Sequence, residues 1–281
     1  MMDDSWALKL AYTGRGYHGF QYQPGVLTVE GVLRKALAKT GLESQLTFAS
    51  RTDAGVNALG FVVAITTGRK IRLDAINRCL PGDVAVWGIS RVTSSFNPRY
   101  DCLMKIYKYY TPLNQLDTGS MNKAAALITG RHYFGNFAKK DRRRPKVSTI
   151  LTLDSLEILL KEGYVEIEFR ARSFLWQMCR RIAQHLIDVG KGVTTPSETA
   201  LLLENSSLPR STLRCPSPAP PENLFLHDII YENVRFDLYP EYLGKIKTIA
   251  QKRQQLLDSQ LKREKLFESV FSPHIKEDKN D

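Results

Sequence analysis

The sequence predicts an α+β protein, and three patterns carry that reading. Strand, helix, strand, helix and strand follow one another over the first hundred residues. Two apolar stretches between residues 149 and 171 flank a hairpin turn, and an apolar stripe at helical spacing runs from Phe174 to Val189. Helices and strands that each have one apolar side must bury it against a shared layer, so the first hundred residues read as an α/β sandwich.

Trp6 to Tyr12 alternates as a strand does, and Thr13-Gly14-Arg15-Gly16 turns the chain. Tyr17 to Pro24 mixes aromatic and polar residues in a loop, with Tyr17 and Phe20 equally readable as core. Val29, Val32, Leu33, Ala36 and Leu37 define a helix with Thr28 as N-cap and Gly41 as its stop. Phe48 to Gly60 is a turn-rich stretch that sets Asp53 behind Arg51 and Thr52 and ahead of Ala54 and Gly55; the strand Phe61 to Ile65 follows. Small residues beside an exposed carboxylate let a bulky ligand approach, and Arg51 offers a planar cation suited to phosphate. On spacing alone, an aspartate that only hydrogen-bonds its own turn explains Asp53 better.

A short helix from Asp74 to Leu80 ends at Pro81-Gly82, and Val84 to Val92 is the next strand. Lys105 to Tyr110 alternates, with Lys105, Tyr107 and Tyr109 on one face. Ser120 to Thr129 is a helix and Gly130 to Phe137 an aromatic turn. The basic run Lys139, Lys140, Arg142, Arg143, Arg144 and Lys146 follows, as fit for phosphate contact as for a solvated loop. Thr149 to Leu160 and Tyr164 to Ala171 pair through Lys161-Glu162-Gly163. Ser173 caps the helix Phe174 to Val189, Pro196 to Glu204 is a further helix, and Ser207 to Pro221 a loop. These elements group into an N-terminal α/β domain over 1–103, a C-terminal α/β domain over 104–239 and a charged helical tail over 240–281 whose end frays.

Over 281 residues, 40 Lys and Arg stand against 29 Asp and Glu, a formal charge of +11. That excess makes nucleic acid the first partner to consider, ahead of an anionic membrane surface. The four cysteines are scattered without a C-x-x-C pair, so neither disulfides nor a metal site is expected. The acidic start and the lack of an apolar run of about 18 residues predict a cytoplasmic protein with no membrane span.

Ser50-Arg51-Thr52-Asp53-Ala54-Gly55-Val56 resembles the active-site signature of the TruA family of tRNA pseudouridine synthases. The loop at Tyr17 to Pro24, the strand with Tyr107, the segment Arg172 to Arg180 and Ala219 to Leu226 resemble its other motifs, in order over roughly residues 7 to 235. Asn57 departs from the pattern, which commonly has His there, and puts a hydrogen bond near the site in question.

The resemblance implies the pseudouridine synthase fold, two ferredoxin/RRM-like halves with largely antiparallel sheets around a basic cleft. It implies uridine isomerisation in tRNA without cofactor or metal, in the anticodon stem-loop among positions 38, 39 and 40, by a homodimer. Asp53 would be the catalytic residue, as nucleophile or base; Arg180 would pair with it; Arg51 would hold the backbone or fill the vacated space. Tyr107 would pack on the flipped uracil and Leu224 line its pocket. A non-catalytic tRNA-binding protein of the same fold is the alternative.

Overall fold

The structure, a computed structural model, describes residues 4–140, 148–204, 215–249 and 251. The N-terminal part runs β1 (Asp4–Tyr12), α1 (Val29–Lys39), β2 (Thr47–Phe48), β3 (Asn57–Thr67), α2 (Leu73–Cys79) and β4 (Val84–Val92). The chain continues through β5 (Cys102–Pro112), α3 (Thr118–Ile128), β6 (Gly130–Tyr133), β7 (Ile150–Leu153), β8 (Ser155–Lys161) and β9 (Tyr164–Ala171). It then forms α4 (Met178–Gly190), α5 (Pro196–Leu203), β10 (Leu224–Tyr231) and β11 (Asp237–Leu238). Among the described residues, no helix is long and apolar enough to cross a membrane.

Helix boundaries follow local chemistry. The Thr28 side chain accepts from the Gly31 N–H and opens α1; Gly41, at φ +73°, lets the chain turn away after it. Asp117 caps α3 through the Ser120 N–H, and Thr195 with Glu198 forms a reciprocal capping box on α5.

Eight strands lie side by side in the order β11-β4-β1-β3-β10-β5-β9-β8, with β2 also on β3. Every neighbouring pair in this sheet is antiparallel except β3 with β10, which run parallel through Phe225 opposite Asn57 and Leu226 opposite Ala58. The two sets of strands thus fuse into one sheet at this seam. Gly60 permits the close approach there: a Cβ on it would stand 2.6 Å from the His227 carbonyl oxygen. One apolar core runs the length of the sheet, from Ala7 and Leu8 on β1 to Ile167 on β9 and Ile182 and Leu186 on α4.

Three sequence expectations change. The helix begins at Met178, not after Ser173; Gln177, with φ +64°, ends a loop whose side chains are turned to other uses. The stretch 149–160 divides at Asp154, because β7 pairs with β6 in a separate two-stranded sheet while β8 pairs with β9. Gly130 to Tyr133, expected as part of a turn, is therefore a strand. Residues 244–249 are helical as expected of the tail; the rest of the tail, apart from residue 251, lies outside the described residues.

His185 on α4 is 2% exposed, with Nε2 2.9 Å from Thr199 Oγ1 on α5. Burial pushes its imidazole down to about 4, outweighing Asp188 and Glu198. The unfolded chain protonates first as pH falls, so the contribution of this group is complete above pH 6.5 and is lost as pH falls from there through about 4. At most about 3 kcal/mol is at stake. Urea midpoints between pH 7 and pH 4.5 should fall, and His185→Gln should flatten the fall.

Candidate active site

The loop between β2 and β3 carries Asp53 and is fastened from behind. Thr52, buried, shares a 2.8 Å hydrogen bond with the Tyr12 hydroxyl, and the Thr52 carbonyl accepts from the Phe20 N–H at 3.2 Å. The Val56 N–H closes a turn onto the Asp53 carbonyl at 3.2 Å. Gly55 takes φ +81°, and a Cβ there would meet Pro221 at 2.9 Å, so glycine lets the loop lie against Pro221. Tyr17 and Phe20 of the preceding aromatic loop are both buried. They fix this support rather than face solvent: Phe20 stacks on Phe61 at 4.0 Å, and the Tyr17 hydroxyl donates to Asp83.

With the backbone so held, the Asp53 carboxylate points outward, 22% exposed, between two donors. Arg180 Nη1 donates to Oδ2 at 3.2 Å, and Trp176 Nε1 donates to Oδ1 at 2.9 Å. The same guanidinium donates from Nε to the Ala219 carbonyl at 2.7 Å, while the Ala219 N–H donates to the Arg180 carbonyl at 3.1 Å. Arg180 therefore ties α4, the 219 segment and Asp53 together through one planar fork.

Tyr107 is the aromatic neighbour. Its ring is 6% exposed, meets Phe174 edge-on at 5.1 Å, and its hydroxyl lies 3.3 Å from Ser50 Oγ. Burial first, then Cys179 and Asp53, push this phenol up, so it is a neutral hydroxyl. Burial and the Asp53 charge likewise push the Cys179 thiol well up, which makes Cys179 an inert filler beneath the carboxylate. All four cysteines are free.

Strand pairing sets Leu224 opposite Tyr109 and Leu226 opposite Tyr107, so both leucines share the tyrosines' face; Leu224 is 5% exposed. Arg51 is exposed at the start of the Asp53 loop. Lys139 and Lys140 are exposed, and the Lys139 ammonium lies 4.4 Å from the Trp176 ring centroid. Arg142, Arg143, Arg144 and Lys146 lie outside the described residues.

Asn57 fills its place in the pattern with two bonds. Its Oδ1 accepts from the Gly14 N–H at 2.9 Å and its Nδ2 donates to the Glu222 carbonyl at 2.7 Å, with 5% of the residue exposed. The side chain thus joins the β1 turn to the segment before β10 and does not touch the carboxylate through either bond. Asn57→Ala leaves both backbone groups without their partner and should cost about 2 to 3 kcal/mol in denaturant unfolding.

The resemblance places Ser50, Phe174 and Trp176 within its motifs but gives them no role, yet all three touch this constellation. The available signal is the position of Trp176 four residues before Arg180, inside a stretch too rich in large aromatics for a surface helix.

A family model described as tRNA pseudouridine synthase matches residues 124–232. With the mixed, mostly antiparallel sheet, that makes the class the pseudouridine synthases, which are isomerases. tRNA pseudouridine synthase A of Pyrococcus furiosus is 39% identical over 243 residues, covering 86% of this chain and 89% of that one. The proteins of the same name from Methanopyrus kandleri and Pyrococcus horikoshii are 40% identical over 82% of this chain and 38% over 88%, with 88% and 92% of those chains covered. The chain belongs to the tRNA pseudouridine synthase A family.

Proposed function

We propose that this isomerase converts uridine to pseudouridine in the anticodon stem-loop of tRNA, among positions 38, 39 and 40, with Asp53 as its catalytic residue. The supporting observation is the Asp53 carboxylate itself: partly exposed, gripped at 3.2 Å by Arg180, with Tyr107 buried beside it. A carboxylate used only to satisfy its own turn would not need a guanidinium and an indole brought from residues more than a hundred positions away.

The reaction breaks the bond from ribose C1′ to N1, turns the uracil, and forms the bond from C1′ to C5. The C5 proton leaves and N1 gains one, so no group is added and no electrons are exchanged. A stacked uracil cannot reach Asp53, so the nucleotide is extruded at a cost of a few kcal/mol. Arg51 holds the phosphodiester or fills the gap, and Lys139 and Lys140 contribute phosphate contacts that weaken with salt. Tyr107 and Leu224 supply the apolar side of the base pocket; they stand on paired strands, and their common face supports that role. The homodimer that the family resemblance implies and the cytoplasmic location expected from the sequence are part of this proposal.

Incubation with tRNA carrying tritium at uridine C5 tests the reading. Label should be released without added cofactor, and mapping of the product should put pseudouridine in the anticodon arm. Release without product in that arm would refute the site assignment; no release would refute the activity of this chain.

A further inference from the structure

Trp176 is 41% exposed, so core packing alone does not hold its indole in place. Three contacts do. Its Nε1–H donates to Asp53 Oδ1 at 2.9 Å, its carbonyl accepts the Lys139 N–H at 2.9 Å, and the Lys139 ammonium sits over its ring at 4.4 Å. The adjoining Gln177 adopts φ +64°, a left-handed conformation that costs a non-glycine residue free energy. That conformation delays the start of α4 to Met178 and leaves residues 174–177 as a loop reaching the carboxylate.

We propose that Trp176 is a positioning residue for the isomerisation, fixing the rotamer of the Asp53 carboxylate from the side opposite Arg180. A carboxylate held by one donor pivots about its Cβ–Cγ bond; held on both oxygens by donors from different segments, it has one orientation. Each oxygen has more than one acceptor direction, so one stays available to the ribose or the base while the donors remain in place. Holding reactants within a narrow geometry is worth a large share of a barrier, and a carboxylate free to rotate forfeits part of it. Lys139 steadies the indole in turn: its main chain and its charge both engage the same tryptophan, linking the start of the basic segment to the carboxylate.

This inference rests on Asp53 being the catalytic residue, and the test separates the two. Wild-type protein and Asp53→Ala are the controls for that reading; Trp176→Phe and Trp176→His test the positioning. Phenylalanine keeps an aromatic ring and loses the N–H. Histidine with its ring turned places Nε2 close to where the indole Nε1 stands, so a donor returns on a smaller ring.

In single-turnover tritium release at saturating tRNA, Trp176→Phe should be slower by about tenfold to a hundredfold, with tRNA affinity within about twofold of wild type. Trp176→His should recover most of the rate. In protein labelled with ¹⁵N-tryptophan, the three indole N–H signals belong to Trp6, Trp87 and Trp176, and Asp53→Ala should move only the last by a large amount. Equal rates for wild type and Trp176→Phe would overturn the proposal while leaving Asp53 its role. So would equal losses in Phe and His variants, or a loss confined to tRNA affinity.

Discussion

Replacing Asp53 by alanine should abolish pseudouridine formation while tRNA affinity changes by no more than about twofold. The loop survives the change because its shape is set by backbone and buried side chains. Tyr12 holds Thr52, Phe20 donates to the Thr52 carbonyl, and the turn from residue 53 to 56 closes on main-chain atoms. Arg180 keeps its bond to the Ala219 carbonyl when the carboxylate is gone. Asp53→Asn is the sharper variant: an amide can still accept from Arg180 or Trp176 with its oxygen but has neither the charge nor the nucleophilicity of a carboxylate. Both variants should therefore bind and retain an unmodified tRNA. Any product above background from Asp53→Ala, measured by tritium release and by mapping, would remove Asp53 from the chemistry.

Arg180→Lys should lower turnover about a hundredfold or more with folding and tRNA binding retained. The arginine is only 11% exposed and acts at two points at once, Nε on Ala219 and Nη1 on Asp53. A lysine ammonium keeps the charge but is a single compact donor on a flexible stem; it can satisfy the carbonyl or the carboxylate, not both in the same plane. The loss should appear in the single-turnover rate and not in affinity. Near wild-type kinetics would show that the carboxylate needs charge nearby and not a fork.

The parts of the fold legible in the sequence are those governed by near neighbours. Alternation along β5 placed Lys105, Tyr107 and Tyr109 on one side, and all three are buried, whereas Lys108 on the other side pairs with Glu166 and Glu168. Thr28 and Gly41 bound α1 because caps are local chemistry. Periodicity starts α4 too early because Phe174, Leu175 and Met178 fall at helical spacing, although Phe174 packs on Tyr107 and Trp176 turns to Asp53. Periodicity registers that residues are apolar, not which distant partner claims them. The joining of β3 to β10 and the pairing of β6 with β7 are invisible for the same reason: neither pair is joined by a short turn, and neither carries a local signal.

For the site, the resemblance supplied Asp53, Tyr107, Arg180 and Leu224, and the fold brings Asp53 and Arg180 into contact. Asn57, read as a departure from the pattern, turns out to bond two backbone segments behind the loop. The role of Trp176 is not legible in the sequence, because nothing in a linear motif distinguishes a donor aimed at a carboxylate from one more core aromatic.

The strand that completes the sheet is also its last long strand to be synthesised. Until Leu224–Tyr231 leaves the ribosome, the flanks of β3 and β5 that β10 will cover are open edges with unpaired N–H and C=O groups. Until then Arg180 also lacks the Ala219 carbonyl that anchors its fork. A chain that stops before Ala219 therefore lacks both the seam strand and the anchor of Arg180. Such a fragment is expected to aggregate more readily than the full chain, which light scattering of the two would check.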